Sequence, residues 1–172
     1  FGKALAVRVV GGGAEGLPSW DHGVADRPTT PIPDEAQGLD MLYSSGTTGR
    51  PKGIKWPLEP APLGTRTMLV NLLADLFGYG PDTRYLSTAP LYHAAPLRHS
   101  MVTIKSGGTA VVMDRFDAEE ALRLIEEHRI THSQWVPTMF VRLLKLPQEV
   151  REKYNLSSMQ MAVHAAAPCP IE

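Results

Sequence analysis

The fold class is decided by residues 84–113, which read RYLSTAPLYHAAPLRHSMVTIKSGGTAVVM. The stretch begins with a strand-like run, Arg84–Thr88, and ends with a second one, Thr109–Met113. Between them, Ala94–Lys105 has helical character, and the Ser-Gly-Gly sequence that follows it is typical of a helix end. Two strands that are joined by a crossover helix pair in parallel, so this stretch predicts a strand–helix–strand unit.

The same alternation continues on both sides of this unit. Upstream, apolar residues of Gly64–Phe77 recur at helical spacing. Downstream, Asp117 begins a helix and Thr131–Val136 predicts a strand, after which Pro137 begins another helix. Met159–Ala166 predicts a last strand. This order predicts an α/β fold, a mostly parallel sheet with helices on both faces. Ligands of such sheets bind beyond the carboxyl ends of the strands.

The N-terminal residues differ in character from the rest. Ala4–Val10 predicts a buried strand, and residues 14–38, with their several prolines, predict a long surface loop. Asp40–Ser45 predicts a short strand that leads directly into a glycine-rich segment. We therefore expect two parts, residues 1–39 as a strand and proline-rich loop and residues 40–172 as an α/β subdomain. The loops after Ser45, Thr88, Val136 and Ala166 are expected to carry the functional residues.

Composition excludes several classes of protein. The chain has 17 Lys and Arg against 18 Asp and Glu, a formal net charge of −1, which excludes a strongly basic nucleic-acid-binding protein. The single cysteine, Cys169, excludes an intrachain disulfide framework and favours a reducing compartment, so we expect a cytoplasmic protein. No apolar run approaches the roughly 18 residues that a transmembrane segment needs.

A polyphosphate-binding loop is indicated by residues 43–53, YSSGTTGRPKG. Its glycines allow several backbone N–H groups to point at one anion, and its serines and threonines add donors. Arg50 and Lys52 add positive charge. The segment is not a Walker A loop, because Pro51 stands where the second glycine is required. A Ser/Thr-rich hairpin turn is the alternative interpretation.

These eleven residues resemble the phosphate-binding signature of the AMP-forming adenylate synthetases. That superfamily includes acyl-CoA synthetases, firefly-type luciferases and the adenylation domains of peptide synthetases. Three further stretches resemble its motifs in order and spacing, APLYH at 89–93, WVPTMF at 135–140 and HAAAPCP at 164–170. The last has the form associated with fatty-acyl-CoA synthetases. The resemblance runs from about residue 40 to the end and implies a partial large N-terminal domain.

The resemblance implies a two-step ligase reaction on a carboxylic acid, most similar to a fatty acid. The carboxylate attacks the α-phosphate of ATP to give an acyl-adenylate, and coenzyme A then displaces AMP. The residues implied to bind the phosphates are Ser44, Ser45, Gly46, Thr47, Thr48, Gly49 and Lys52. Thr47 matches the position that helps to bind Mg²⁺, and His93 and Lys52 are the implied catalytic residues.

The resemblance also assigns the walls of the site. The residues implied to line the acyl pocket are His93, Leu97, Trp135, Val136 and Thr138. Those implied to lie against adenine are Ala165, Ala166, Ala167 and Pro168. A core position suits Trp135 equally well, and the small residues are also typical of tight packing. Leu97 falls where some long-chain enzymes place a gating tryptophan, so it does not indicate the acyl-chain length.

Two other functions stay open. One is a non-catalytic nucleotide- or polyphosphate-binding module that has kept only this loop. The other is a different adenylating enzyme, luciferase-like or amino-acid-activating. The amino-acid enzymes usually supply an acidic partner for the substrate ammonium, and no aspartate lies near His93 or Trp135, which favours a simple carboxylic acid. The family's later motifs are not among these 172 residues, and we expect the remainder of the same polypeptide to carry them.

We predict that the 172-residue chain has no ligase activity by itself, because it lacks the family's magnesium-binding glutamate, ribose-binding aspartate and adenylation lysine. The measurement is thioester formation from ATP, coenzyme A and a panel of carboxylic acids by the purified chain. Turnover in that assay would contradict the prediction.

Overall fold

The computed structural model describes residue 10, residues 16–44 and residues 50–168. The chain divides into two compact units, Phe1–Ala36 and Gln37–Glu172. In the first unit, the predicted strand Ala4–Val10 lies outside the described residues except for Val10. Among the residues described, no helix is both long enough and apolar enough to cross a bilayer.

A short helix, α1 (Trp20–Ala25), lies within the stretch that was predicted to be a loop. The side chain of Ser19 accepts a hydrogen bond from the Asp21 backbone N–H at 3.2 Å, and Asp21 places negative charge in the first turn. Both features stabilise a helix N-terminus. The helix has only six residues and none is buried, so it is too short for an apolar periodicity to predict it.

The second unit begins with a β-hairpin. Strand β1 (Leu42–Ser44) pairs in antiparallel fashion with β2 (Lys52–Ile54) in a separate two-stranded sheet. The strand predicted within Asp40–Ser45 is present as β1, and it pairs with the strand that follows it. A Cβ on Gly53 would lie 2.6 Å from Cε of Met41, so a larger residue there would require the Met41 side chain to move.

The main sheet has four strands in the order β4-β3-β5-β6, and every neighbouring pair is parallel. The strands are β3 (Arg84–Ser87), β4 (Thr109–Val112), β5 (His132–Trp135) and β6 (Met161–His164). Each lies within a predicted strand, and each is one to four residues shorter than predicted. The predicted parallel sheet is confirmed.

Helices cover both faces of this sheet, as predicted. They are α2 (Met68–Phe77), α3 (Ala94–Lys105), α4 (Ala118–Glu127), α5 (Pro137–Leu144) and α6 (Gln148–Arg151). Neighbouring residues of β3 belong to different cores, since successive side chains of a strand point to opposite faces. Tyr85 lies in a cluster with residues of α2 and α3, whereas Leu86 lies in one with residues of α4 and α5.

The helix ends follow from local sequence. Helix α2 begins four residues later than predicted, because Thr67 is its N-cap and accepts a hydrogen bond from the Val70 N–H. Gly78 ends it with φ of 71°, a backbone conformation that favours glycine. Asp117 caps α4 by accepting from the Glu120 N–H at 2.9 Å. Helix α6 has only four residues, which is too short to produce a periodic pattern.

We predict that Leu86→Ala lowers the free energy of unfolding by about 3 kcal/mol, because it leaves a cavity in a close-packed core. Leu86 is fully buried. The matched control is Leu72→Ala on the outer side of α2, where the leucine is 55% exposed and the expected change is below about 0.5 kcal/mol. Urea unfolding of both variants measures the difference. Equal destabilisation would contradict this assignment of the core.

Candidate functional site

The strand order places a topological switch point, where a ligand crevice is expected, between the carboxyl ends of β3 and β5. Helix α3 leaves β3 on one face of the sheet and leads to β4, whereas α5 follows β5 and packs with the core of the opposite face. Two adjacent strands whose connections diverge in this way form the usual ligand crevice of an open α/β sheet. The predicted site residues of the main sheet fall at this edge.

Hydrogen bonds hold the three strand ends together. The Thr88 hydroxyl donates to the carbonyl oxygen of Gln134 at 2.7 Å, which links the ends of β3 and β5. The Ala165 N–H donates to the carbonyl oxygen of Trp135 at 3.1 Å, which links β5 to the end of β6. The segments that follow these strands are residues 88–93, 136–138 and 165–168.

His93 stands at the beginning of α3. Its backbone N–H donates to the carbonyl oxygen of Pro90 at 3.1 Å, and its own carbonyl accepts from the Leu97 N–H at 3.2 Å. The residue is therefore the N-cap by its backbone alone, and its side chain makes no capping hydrogen bond. The imidazole is exposed and lies against the ring of Tyr92 with 4.5 Å between centroids. The turn thus presents a histidine side chain at the edge of the crevice.

The predicted acyl-pocket residues fall into two groups. Leu97 and Val136 are half-buried and Thr138 is exposed, so these three are accessible. Trp135, by contrast, is only 3% exposed and belongs to the apolar cluster between the sheet and α4 and α5. Its ring meets Phe116 edge to face with 6.3 Å between centroids. The structure places Trp135 in the core, which was the alternative interpretation of this residue.

The indole nitrogen of Trp135 is buried and has no hydrogen-bond partner among the described residues. A buried donor without a partner is unfavourable, and such groups are uncommon in native proteins. This one lies at the last residue of β5, next to the crevice.

The segment predicted to lie against adenine follows β6 directly. Ala165 is half-buried, and Ala166, Ala167 and Pro168 are exposed. Ala166 has φ of 76°, in the left-handed region that costs an alanine about 1 kcal/mol or more. Strained backbone of this kind is concentrated at functional sites. The turn therefore exposes small side chains at this edge of the sheet.

The predicted phosphate loop is described only at its two ends. Lys52 is the first residue of β2, it is exposed, and it lies opposite Ser44 in the hairpin. Ser45, Gly46, Thr47, Thr48 and Gly49 lie outside the described residues, as does the side chain of Ser44. Elsewhere, in the residues that the structure covers, no three His, Cys, Asp or Glu side chains are grouped as a metal site would require.

A buried polar cluster anchors α3 to the sheet. Nδ1 of His99 lies 2.6 Å from the hydroxyl oxygen of Tyr79, and its ring stacks on Tyr85 with 5.9 Å between centroids. The Nε2–H of His132 donates to the carbonyl oxygen of Phe77 at 2.9 Å. Burial raises the pKa of both tyrosines. Burial, reinforced by His132, lowers the pKa of His99 to about 4.

Sequence reasoning missed this cluster and the contacts that α3 makes with residues 37–40. The available signal was His99 itself, one turn of helix before the buried Val102 and Thr103 and hence on the inward side of α3. An apolar pattern alone does not identify a buried histidine.

Comparison with known proteins agrees with these observations. The profile of the family described as "AMP-binding enzyme" matches residues 6–172. The chain is 34% identical to 4-hydroxybutyrate–CoA ligase 2 of Metallosphaera sedula, over 84% of the chain and 26% of that protein. It is 36% identical to the medium/long-chain-fatty-acid–CoA ligase FadD8 of Mycobacterium tuberculosis, over 78% of the chain and 22% of that protein.

The chain is also similar to solved structures. ATP-bound MatB from Rhodopseudomonas palustris is 30% identical with a TM-score of 0.57, over 74% of this chain and 24% of that one. The amide bond synthetase McbA from Marinactinospora thermotolerans is 27% identical with a TM-score of 0.61, over 76% and 24%. The chain therefore spans about a quarter of the length of these proteins.

We predict that His99 makes the protein less stable in mild acid. The folded-state pKa of His99 is about 4 and that of an unfolded histidine is about 6.5, so between these values the unfolded chain binds a proton that the folded chain does not. The free energy of unfolding therefore decreases as the pH falls from about 6.5 towards 4. His99→Gln removes this proton uptake and flattens the decrease.

The measurement is urea unfolding at several pH values between 7 and 4.5. His22→Gln, at an exposed position of α1, is the control and should keep the pH slope of the unaltered chain. If His99→Gln and His22→Gln give the same slope, His99 is not the group responsible.

Proposed function

Because the chain belongs to the AMP-binding enzyme family, we propose that it is part of an ATP-dependent, AMP-forming acyl-CoA ligase, an acid–thiol ligase. The chain spans less than a third of the length of the curated relatives compared above, so this activity is proposed for the complete gene product. The remainder of that polypeptide is proposed to supply the rest of the ATP site.

One observation carries the proposal. The exposed His93 side chain stands at the crevice between β3 and β5, in the sequence that resembles the family's histidine motif. The strained turn at Ala166 follows the next strand along the same edge. A histidine and a turn of small residues at the same edge of the sheet suit a site that brings a carboxylate to a nucleotide.

The first step joins the acid to AMP. A carboxylate oxygen bonds to the α-phosphorus of ATP while the bond from that phosphorus to the β-phosphate oxygen breaks, which releases pyrophosphate. A carboxylate is a weak nucleophile and the triphosphate repels it, so the enzyme must neutralise charge and hold the reacting atoms in line. Lys52 is proposed to provide the counter-charge, and His93 to donate a hydrogen bond that orients the carboxylate and the α-phosphate.

The second step transfers the acyl group. The sulfur of coenzyme A bonds to the acyl carbon while the bond from that carbon to the AMP oxygen breaks, and the thiol proton leaves to solvent. ATP is proposed to bind as its Mg²⁺ complex, with the hydroxyl of Thr47 near the ion, since hard cations prefer oxygen ligands. The proposed phosphate ligands are the hydroxyls and backbone of residues 44–49.

The proposed acid is fatty-acid-like and carries no ammonium group. The HAAAPCP form of residues 164–170 and the 36% identity to a medium/long-chain-fatty-acid–CoA ligase support this choice. The half-buried apolar side chains of Leu97 and Val136 also suit an alkyl chain. Profiling the complete gene product with fatty, aromatic and steroidal acids tests it, and a preference for aromatic acids would contradict it. The proposed location is the cytoplasm.

We predict that Lys52→Ala and Thr47→Ala each lower acid-dependent pyrophosphate release by the complete gene product by about 100-fold. The reason is that each substitution removes a group that stabilises phosphate charge. Circular dichroism should show an unchanged fold, because Lys52 is exposed.

The matched control is Lys55→Ala. Lys55 is an exposed lysine just after β2, and its loss should change the rate less than twofold. Unchanged pyrophosphate release in Lys52→Ala would contradict the assignment of the loop. ATP binding without any acid-dependent release in the unaltered protein would favour the non-catalytic binding module instead.

A further inference from the structure

An ion pair connects α3 to the segment that leads into the hairpin. Nε and Nη2 of Arg98 lie 3.1 and 3.0 Å from Oδ2 of Asp40. The two side chains are 28% and 16% exposed, so the pair is largely shielded from water. Shielding strengthens the attraction between the charges and reduces screening by salt. Arg98 is five residues after His93 on the same helix, and Asp40 is two residues before β1.

A second contact lies further along the same helix. Nζ of Lys105 donates to Oε1 of Gln37 at 2.7 Å, and the Gln37 N–H donates to the carbonyl oxygen of Ala61 at 2.9 Å. Lys105 and Arg98 are seven residues apart, which is about two helical turns, so both side chains lie on one side of α3. The segment Gln37–Asp40 is thus attached to α3 at both of its ends.

The dimensions of the two elements match. Seven residues of helix rise about 10.5 Å. Three residue steps of extended chain, from Gln37 to Asp40, span about 10 Å.

The pair is not itself a ligand site. The cavity beside it, lined in part by Leu39, Val70 and Val102, has a volume of about 20 Å³. That volume holds about one water molecule and no substrate. The charges of Arg98 and Asp40 are directed at each other, so their effect on chemistry must pass through the elements that they join.

We propose that the Asp40–Arg98 pair is a positioning device that sets the separation between the hairpin, which carries Lys52, and His93. This inference rests on the proposed function. In the proposed first step, Lys52 provides the counter-charge for the triphosphate while His93 orients the attacking carboxylate. The hairpin is outside the main sheet, so the contacts of residues 37–40 with α3 tie the start of β1 to the helix that His93 caps. A displacement of about 1 Å at a reacting centre costs up to about 100-fold in rate.

The test separates the two half-reactions of the complete gene product. Arg98→Met and Asp40→Asn are assayed for acid-dependent pyrophosphate release, and then for thioester formation from synthetic acyl-adenylate and coenzyme A. We expect the first rate to fall at least tenfold and the second to stay within twofold, because only the first uses the triphosphate. The double variant Asp40→Arg, Arg98→Asp restores the ion pair and should recover most of the first rate.

The matched control is Arg123→Met on α4. Arg123 pairs with Glu120 and Glu127 at the surface, far along the chain from both motifs, and its loss should leave both rates within twofold. An equal decrease of both half-reactions in Arg98→Met, or no decrease in either, would overturn the positioning role. An unaltered protein that releases no pyrophosphate would overturn the proposed function, a result that is visible without any variant.

Discussion

The arrangement of the main sheet depends on the burial of β3 from both sides. Tyr85 and Leu86 are adjacent in sequence and fully buried, and they belong to two different cores. A strand that buries large side chains on both of its faces is stable only when helices cover both faces of the sheet. Chain connectivity then sends α3 to one face and α5 to the other, and the crevice between β3 and β5 follows from that divergence.

Three structural features meet at helix α3. Its first turn carries an exposed histidine, its inner side rests on a polar cluster around His99, and its flank holds residues 37–40. Polar contacts are more directional than apolar ones, because separating a buried donor or acceptor from its partner is unfavourable. A helix anchored in this way has one defined axial position, which suits an element that presents a reactive side chain.

The sequence predicted the parts of the fold that depend on local chemistry. Helix α3 has its predicted bounds because glycines follow it, and α5 begins at Pro137 because proline suits a first helical turn. The strand near Leu42 was predicted, whereas its pairing in a hairpin was only the alternative interpretation, because strand propensity does not identify the partner strand. Helix α1 was missed because it buries nothing.

The site was predictable to the extent that its residues form contiguous motifs. His93 and the turn at Ala166 lie at the carboxyl edge of the sheet and their roles stay predictions, whereas Trp135 belongs to the core, since a tryptophan suits either environment. The contact between Asp40 and Arg98 joins residues 58 positions apart, and no periodicity or spacing indicates such a pair. The assignment of residues 45–49 to phosphate binding stays a prediction, because it depends on the motif alone.

The separation of the hairpin from the main sheet has a dynamic consequence. Strands β3 to β6 are joined by backbone hydrogen bonds, which dissolved ions weaken little. The approach to β1 is held to α3 by a charged pair and by a lysine–amide contact. Ions in solution screen exposed charges over about 10 Å at 0.1 M, but they screen largely shielded pairs much less. The attachment of residues 37–40 to α3 therefore weakens only slightly as ionic strength rises, and less than the surface pair of Arg123 and Glu120.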